Sequence, residues 1–418
     1  MAKSSGDRRR SARLLIRVED GAFASRLLER ETSPGVRVRV LGVLRWQRAL
    51  DHQLQPFLKR PIARLDPEVR AALRMGCFEM HHLGVPAAVA TDSMIRLTRK
   101  MGKSSATGMV NAVLRRAAAS EDLAAGPDLR WSHPEWLWRR WAESFGADSA
   151  QSAMAAAQEP AAPWVWFVRD QSESRLDDGN VVLEPHPWCP ETWTASVGRS
   201  ELMERIERGG VVVQDPSSQM VARIAVRVVD GTGCAADLCA APGGKTALLR
   251  KLGCWDLLVA GDVSPAKAMR LARRLGEVAV VVGDAGRPAL RPGAWDLVLL
   301  DAPCSGTGTF RRHPELKWRL TPESIAEAAR HQRPMIAAAL DLLSPGGVLV
   351  YATCSVESEE NEAHFLDVPE GFERAGLEAY LPAGLPWSET TAGGVRILAH
   401  RDGDGFTVHA LRRLAMTI

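Results

Sequence analysis

The sequence predicts an α/β protein in which a mainly parallel, doubly wound sheet follows an all-α domain and a small α+β connector. Up to about residue 120, apolar residues recur at three- and four-residue spacing. From about residue 209, short β-branched runs alternate with helical stretches, and the chain between these parts is rich in Trp and Pro. With 418 residues, the chain is too long for one ordinary core. The predicted domains are therefore residues 1–125, 126–208 and 209–418.

Helical periodicity in the first domain is interrupted at Pro34, Pro56, Pro61 and Pro86, which separates successive amphipathic helices. A compact helical bundle is expected. Residues 1–120 hold 23 Lys and Arg against 10 Asp and Glu, so they carry +13, and the remainder carries −10 of the net +3. Solvated helix faces explain any single basic run, but the bias of a whole domain favours a polyanionic partner, nucleic acid in particular.

The connector holds one predicted strand, WVWFVR at residues 164–169. In the third domain five short apolar runs predict strands: AADLC, LLVAGD, VAVVVGD, WDLVLLD and GVLVYATC. Three helical stretches follow or separate them: KTALLRKLG, PAKAMRLARRLG and PESIAEAARHQRPMIAAALDLL. This alternation predicts parallel strands with helices on both faces of the sheet.

Several classes of protein are disfavoured by what the sequence lacks. No apolar stretch approaches the roughly 20 residues of a membrane span. The basic segment at residues 8–18 has neither a long apolar core nor a cleavage site, so we expect it to form the first helix. Seven cysteines without a C-x-x-C pair argue against a disulfide framework or a zinc site. A cytoplasmic, monomeric protein without a resident metal is expected.

A glycine-bearing loop, DLCAAPGGKT from Asp237 to Thr246, lies between a predicted strand and a helix. Its two glycines let the backbone turn and approach a ligand, and the helix offers free N–H groups. A phosphate-loop pattern fails because Ala240 stands where its first glycine belongs. An ordinary strand–helix turn, with Lys245 at the surface, is the alternative. The predicted cofactor-binding loop consists of Cys239, Ala240, Ala241, Pro242, Gly243, Gly244 and Lys245.

Three acidic residues end predicted strands near this loop. Asp262 lies 17 residues beyond Lys245, where doubly wound folds bind ribose hydroxyls. Asp284 is placed to accept a hydrogen bond from an adenine amino group, and Asp301 ends the next strand. Each acid alone could cap a helix. Together they favour a nucleoside cofactor, either a dinucleotide or S-adenosylmethionine.

Two cysteines, Cys304 and Cys354, each follow a run that reads as the carboxyl end of a strand. In a parallel sheet these ends carry the ligand-binding loops, so the two thiols are expected in one crevice. A thiol pair behind a glycine loop indicates covalent chemistry on an electron-poor ring. The alternative is a pair of inert buried thiols.

These motifs also carry a resemblance. DLCAAPGGKT, DAPCSGTGTFRRHPELKW and YATCSVESEENE resemble the signatures of the RNA 5-methylcytosine methyltransferases, in particular the bacterial small-subunit ribosomal RNA type (RsmB, Sun/Fmu). GMVNAVLRR at residues 108–116 and VVVQDPSSQ at 211–219 extend the resemblance to nearly the whole chain. The resemblance implies a Rossmann-like class I methyltransferase domain, a NusB-like RNA-binding domain at the N-terminus, S-adenosylmethionine as cofactor and small-subunit ribosomal RNA as partner.

The resemblance also implies residue roles. Cys354 would add to C6 of a cytosine, which activates C5 toward a methyl group, and Cys304 would assist breakdown of the adduct. Asp301 would contact N3 and the exocyclic amine. Apart from the resemblance, the basic residues Arg311, Arg312 and Lys317 of the segment FRRHPELKW could bind RNA phosphates. SEENE at residues 358–362 is expected to begin a helix.

Two other functions remain open from the sequence. One is a non-catalytic RNA-binding or ribosome-assembly factor that retains the fold, although the intact thiols and Asp301 argue against it. The other is a nicotinamide dehydrogenase, which only the sheet and the acid after the glycine loop favour.

Overall fold

The computed structural model describes residues 2–119, 126–168, 183–195 and 211–415. The chain divides into two compact units, residues 1–160 with 310–319, and residues 161–309 with 320–418. Residues 126–208, predicted as one connector, are thus split between the two units. Residues 310–319, predicted within the third domain, fold with the first unit.

The first unit is helical, as the periodicity predicts. Its described residues form α1 (Ala2–Glu19), α2 (Ala24–Leu28), α3 (Pro34–Leu54), α4 (Pro67–His82), α5 (Ala87–Lys100), α6 (Thr107–Ala117), α7 (Pro127–Arg130), α8 (Glu135–Phe145) and α9 (Ala147–Ala156). Prolines begin α3, α4 and α7, where the missing N–H leaves no hydrogen bond unmade. A core of Leu, Val and Ala side chains runs from α1 to α6.

The inserted segment 310–319 is held in the first unit by buried contacts. The Phe310 ring, 1% exposed, stacks on Trp141 with centroids 6.0 Å apart. Lys317 Nζ donates to the carbonyl oxygens of Arg45 at 2.8 Å and Ser132 at 2.9 Å. The segment therefore packs as part of the helical core.

The second unit begins with a small antiparallel sheet. Its strands are β1 (Trp164–Phe167), β2 (Leu183–Pro185), β3 (Trp193–Ala195) and β4 (Val211–Val213), in the order β2-β3-β1-β4. The strand predicted at residues 164–169 is confirmed over Trp164–Phe167 as β1, and residue 169 lies outside the described residues.

The larger sheet of the second unit holds the five predicted strands. These are β5 (Thr232–Asp237), β6 (Cys254–Asp262), β7 (Ala279–Val282), β8 (Trp295–Asp301) and β9 (Leu343–Thr353). They are parallel in the order β9-β8-β5-β6-β7. Four further strands extend the β9 edge in antiparallel fashion: β10 (Phe372–Arg374), β11 (Ser388–Glu389), β12 (Val395–Ile397) and β13 (Phe406–Arg413). The mainly parallel, doubly wound sheet is confirmed.

Helices cover both faces of this sheet. They are α10 (Pro216–Arg227), α11 (Gly244–Leu252), α12 (Pro265–Leu275) and α13 (Pro322–Leu342). Along β8, Leu297 and Leu299 belong to one core, which includes side chains of α10, α11 and α12. Val298 and Leu300 belong to a second core, which includes side chains of α13. Alternate residues of a strand point to opposite faces, so β8 is buried on both sides.

The strand order reverses beside β5, which lies between β6 and β8. At such a point two loops diverge from the carboxyl ends of neighbouring strands and leave a crevice for ligands. The glycine loop follows β5 and Cys304 follows β8, so this crevice is where the predicted site residues converge. Among the described residues, no helix combines the length and apolarity that a bilayer crossing requires.

Candidate active site

The two predicted thiols lie together at the carboxyl ends of β8 and β9. Asp301 pairs with Ala352 across these strands, and the Ala302 N–H donates to the Ala352 carbonyl at 2.9 Å. This register places the two following loops side by side. Cys304 Sγ and Cys354 Sγ are 3.4 Å apart, within hydrogen-bond distance for sulfur.

The surroundings of Cys304 favour its protonated form. The hydrogen bond with Cys354 and, after it, burial raise the pKa of Cys304 well above its ordinary value. Repulsion by the carboxylates of Glu360 and Asp301 acts in the same direction. Cys304 therefore holds its proton and can donate a hydrogen bond to Cys354 Sγ.

A buried carboxylate lies beneath the two cysteine loops. Glu360 is 0% exposed, and it accepts hydrogen bonds from the Ser305 N–H at 2.8 Å and the Ser355 hydroxyl at 2.5 Å. The helix start expected at residues 358–362 is wrong, because two 3₁₀ turns form there instead, Ser358–Glu360 and Glu362–His364. Sequence reasoning assigned Glu360 no role beside the thiols, and the available signal was a carboxylate five residues after the Cys354-Ser355 pair.

The glycine loop has the conformation that its sequence predicts. Gly243 adopts a left-handed φ of 99°, and its N–H donates to the Ala240 carbonyl at 2.7 Å. The Ala240 N–H in turn donates to the Gly261 carbonyl in β6 at 2.8 Å. A side chain at Gly244 would begin 3.1 Å from the Gln214 side chain, so a larger residue has little room. The loop is thus packed tightly at the N-terminus of α11.

Lys245 is a buried component of the site, which contradicts the alternative of a surface lysine. Its side chain is 10% exposed, and Nζ lies 2.7 Å from Asp301 Oδ2. The same ammonium stands 5.1 Å from the centre of the Phe406 ring, within cation–π range. Lys245 therefore links the loop after β5 to the end of β8.

Asp237 is a site residue to which sequence reasoning assigned no role. It ends β5, is buried, and accepts a hydrogen bond from the Thr246 hydroxyl at 2.7 Å. Burial raises the pKa of Asp237 to about 7, and Asp301 adds to the shift. The available signal was an acid at a strand end immediately before the glycine loop.

A cavity of about 80 Å³ opens among these groups. Its lining includes Asp237, Cys239, Ala240, Ala241, Pro242, Gly244, Lys245 and Asp301. Carboxylates, an ammonium group and the N-terminus of α11 surround it, so the residues fit the charged end of a cofactor such as S-adenosylmethionine.

Asp262 and Asp284 do not line this cavity. Asp262 Oδ1 accepts from the Ser264 N–H at 2.8 Å, just before α12. Asp284 is exposed, and its Oδ1 accepts from the Gly286 N–H at 2.9 Å. Both acids close turns, but neither is the N-cap of a helix, so the helix-cap alternative is not confirmed either. Their roles toward a ribose and an adenine stay predictions.

The structure does not favour two of the three predicted phosphate contacts. Lys317 is 1% exposed and Arg311 is 3% exposed, and both lie in the inserted segment of the first unit. Burial lowers the pKa of Lys317 well below its ordinary value, and the positive charge of Arg45 adds to this effect. Lys317 and Arg311 are thus placed as packing residues rather than phosphate ligands. Arg312 is partly exposed.

Comparison with known proteins agrees with this architecture. Residues 230–412 match the family profile described as 16S rRNA methyltransferase RsmB/F, and residues 5–119 match that of the NusB family. Among solved structures, PH0851 has the same fold, with a TM-score of 0.77 and 23% identity over 97% of this chain and 98% of that one.

Curated relatives extend the match to most of the chain. The chain is 30% identical over 404 residues to the Probable ribosomal RNA small subunit methyltransferase B of Synechocystis sp., covering 90% of both proteins. It is 33% identical over 341 residues to the Ribosomal RNA small subunit methyltransferase B of Sodalis glossinidius, covering 77% of both. The chain therefore belongs to the ribosomal RNA small subunit methyltransferase B family.

Proposed function

We propose that this protein transfers a methyl group from S-adenosylmethionine to C5 of a cytosine in RNA, with small-subunit ribosomal RNA as the substrate. The observation that carries the proposal is the 3.4 Å separation of Cys304 Sγ and Cys354 Sγ beside the glycine loop. A single thiol would suffice to form an adduct, whereas a close pair provides for both its formation and its release. The names of the relatives support the RNA substrate.

The cofactor is S-adenosylmethionine, which supplies an electrophilic methyl group when bound. The residues that would hold it are the glycine loop from Cys239 to Lys245, together with Asp262 and Asp284. The tight packing of the loop against Gln214 would hold the first N–H groups of α11 toward the ligand. Asp301 lines the cavity and pairs with Ala352 of β9, next to the cysteine loops, so it would lie between the cofactor and the base.

The first chemical step belongs to Cys354. Its thiolate would add to C6 of the cytosine, and the electron pair of the C5–C6 double bond would move toward C5 and N3. Asp301 would contact N3 and the exocyclic amine, and the Lys245 ammonium 2.7 Å from Asp301 provides a proton donor on that side. C5 then takes the methyl group. A base within an RNA helix would have to leave the stack to reach these thiols.

The hydrogen bond between the thiols gives Cys304 a role that changes during the cycle. That bond is the largest cause of the raised pKa of Cys304. It is lost once Cys354 Sγ is bonded to C6, and Cys304 can then ionise more readily. Its thiolate could accept the proton from C5, after which the C6–sulfur bond breaks and the Cys354 thiolate is restored.

Methylation of a defined RNA tests the proposal. The purified protein would be incubated with a small-subunit ribosomal RNA transcript and S-adenosylmethionine, and the RNA digested to nucleosides for mass spectrometry. We expect 5-methylcytidine with the wild type and none with Cys354→Ser. Methyl transfer to another cytosine atom, or unchanged activity in Cys354→Ser, would overturn the proposal. RNA binding without any methylation would favour the alternative of a non-catalytic assembly factor.

A further inference from the structure

Beneath the two thiols, the carboxylate of Glu360 joins the loops that carry them. Oε1 accepts from the Ser305 N–H at 2.8 Å, and Oε2 accepts from the Ser305 hydroxyl and from the Ser355 hydroxyl, the latter at 2.5 Å. Ser305 directly follows Cys304, and Ser355 directly follows Cys354. One side chain therefore binds the residue next to each thiol.

Further contacts hold Glu360 itself in place. Gln332, in α13, donates from Nε2 to Glu360 Oε1 at 3.2 Å and to the Pro303 carbonyl at 2.9 Å. The Tyr351 hydroxyl donates to the Glu360 carbonyl oxygen at 2.7 Å. The strand β9 thus holds the backbone of Glu360, and the helix α13 holds its carboxylate.

The chemistry of Glu360 and its hydrogen-bond donors favours a role in function over a role in stability alone. Glu360 is fully buried, and within the described part of the chain all donors to its side chain are neutral groups. Burial accordingly raises the pKa of Glu360, and the hydrogen bonds from Ser305 and Ser355 oppose that shift. A buried carboxylate without a cationic partner is expensive for a protein to keep, and such groups cluster at functional sites.

We propose that Glu360 is a positioning residue that sets the separation of the Cys304 and Cys354 thiols by binding Ser305 and Ser355. The inference rests on the proposed function, since it assigns Glu360 to the covalent cycle of these thiols. Glu360 does not line the cavity at the glycine loop. It acts by holding two loops in one arrangement, which matters because a displacement of about 1 Å can cost about 10²-fold in rate.

The test compares two buried carboxylates that are two residues apart. Glu360→Gln keeps the shape but replaces one acceptor oxygen with an NH₂ donor, so it cannot accept all the bonds from Ser305 and Ser355. Glu362→Gln is the matched control, because Glu362 is 4% exposed and pairs with Arg396 instead. We expect Glu360→Gln to lower kcat about 10²-fold with little change in KM for RNA, and Glu362→Gln to retain kcat.

A second measurement reports thiol spacing without RNA or cofactor. Phenylarsine oxide bridges two close thiols, forming two arsenic–sulfur bonds and releasing one water molecule. We expect Glu360→Gln to bind it about tenfold more weakly than the wild type, because the effective concentration of the second thiol falls. Ser305→Ala and Ser355→Ala retain the carboxylate, and each should give a smaller loss of affinity for phenylarsine oxide. These two variants test the proposal even if Glu360→Gln does not fold. Cys304→Ala/Cys354→Ser gives the baseline.

The outcomes separate the two proposals. Unchanged arsenical affinity, or equal losses of kcat in Glu360→Gln and Glu362→Gln, would overturn the positioning role. If the wild type makes no 5-methylcytidine but Glu360→Gln still binds the arsenical weakly, the proposed function fails and the positioning role stands.

Discussion

The ammonium of Lys245 lies 2.7 Å from Asp301 Oδ2 and joins the two loops that diverge where the strand order reverses. Lys245 stands in the first turn of α11, after β5, and Asp301 ends β8. The contact thus connects the cofactor loop to the strand that leads to Cys304. Its position explains why a lysine follows the two glycines of the loop.

Lys245→Met should lower kcat/KM about 10- to 100-fold, since a hydrogen bond between charged groups contributes about 1.5–3 kcal/mol. The substitution also leaves Asp301 without this partner in a partly buried site. Methyl transfer to RNA under subsaturating conditions measures the effect. Lys267→Met is the control, because its Nζ lies 3.7 Å from Asp262 and its side chain is 53% exposed. Equal losses in both variants would contradict a specific role for Lys245.

Cys304→Ala should trap a covalent protein–RNA adduct, because Cys354 can still add to the ring while release is impaired. The adduct would appear as a band of lower mobility in a denaturing gel. Cys304→Ala/Cys354→Ser should show no such band. Cys254→Ala is the matched control at an exposed cysteine and should turn over normally. Full turnover by Cys304→Ala would remove Cys304 from the cycle.

Asp237→Asn should change how stability depends on pH. The pKa of Asp237 is raised from its ordinary value of 3.8 to about 7 by burial, so the folded state binds a proton more tightly than the unfolded state. The stabilisation that comes from the protonated Asp237 side chain is complete below pH 3.8, and it is lost as the pH rises through about 7. Asparagine stays neutral. The free energy of unfolding of the variant should therefore rise relative to that of the wild type, by at most about 1.4 kcal/mol for each pH unit in this window.

Urea unfolding at about pH 5 and about pH 8 measures this difference. At about pH 5 the folded state still holds the proton on Asp237, whereas about pH 8 lies beyond the pH range in which this stabilisation is lost. Asp256→Asn, at an exposed position, is the control for general effects of charge. If Asp237→Asn and the wild type differ in free energy of unfolding by the same amount at both pH values, Asp237 does not titrate between them.

Lys317→Met should leave the salt dependence of RNA binding unchanged, because its amino group donates to backbone carbonyls within the helical unit. A lost phosphate contact would reduce the slope of log K against log salt concentration by about 0.7 to 0.9. Arg312→Ala provides the comparison, since Arg312 is partly exposed in the same segment. Filter binding across a series of salt concentrations measures the slope for each of these two variants. A reduced slope for Lys317→Met would restore Lys317 as a phosphate ligand.

Much of the fold could be predicted from the sequence because its signals are local. The five apolar runs and their intervening helices appear as β5 to β9 and α11 to α13, since each run carries the periodicity of its own element. The antiparallel strands β10 to β13 were not predicted. Three of them are only two or three residues long, and they form by pairing outward from β9 through β13 rather than by their own periodicity.

The sequence by itself determined the parts of the site whose chemistry lies in short motifs: the glycine loop, Cys304 and Cys354. Only the tertiary structure decided which distant groups meet them. Burial turned Lys317 from an expected phosphate ligand into a packing residue, and it placed Glu360 beneath both thiols. The physical reason is that motifs record which groups are present, whereas burial and hydrogen-bond partners depend on strands and helices brought together across the fold.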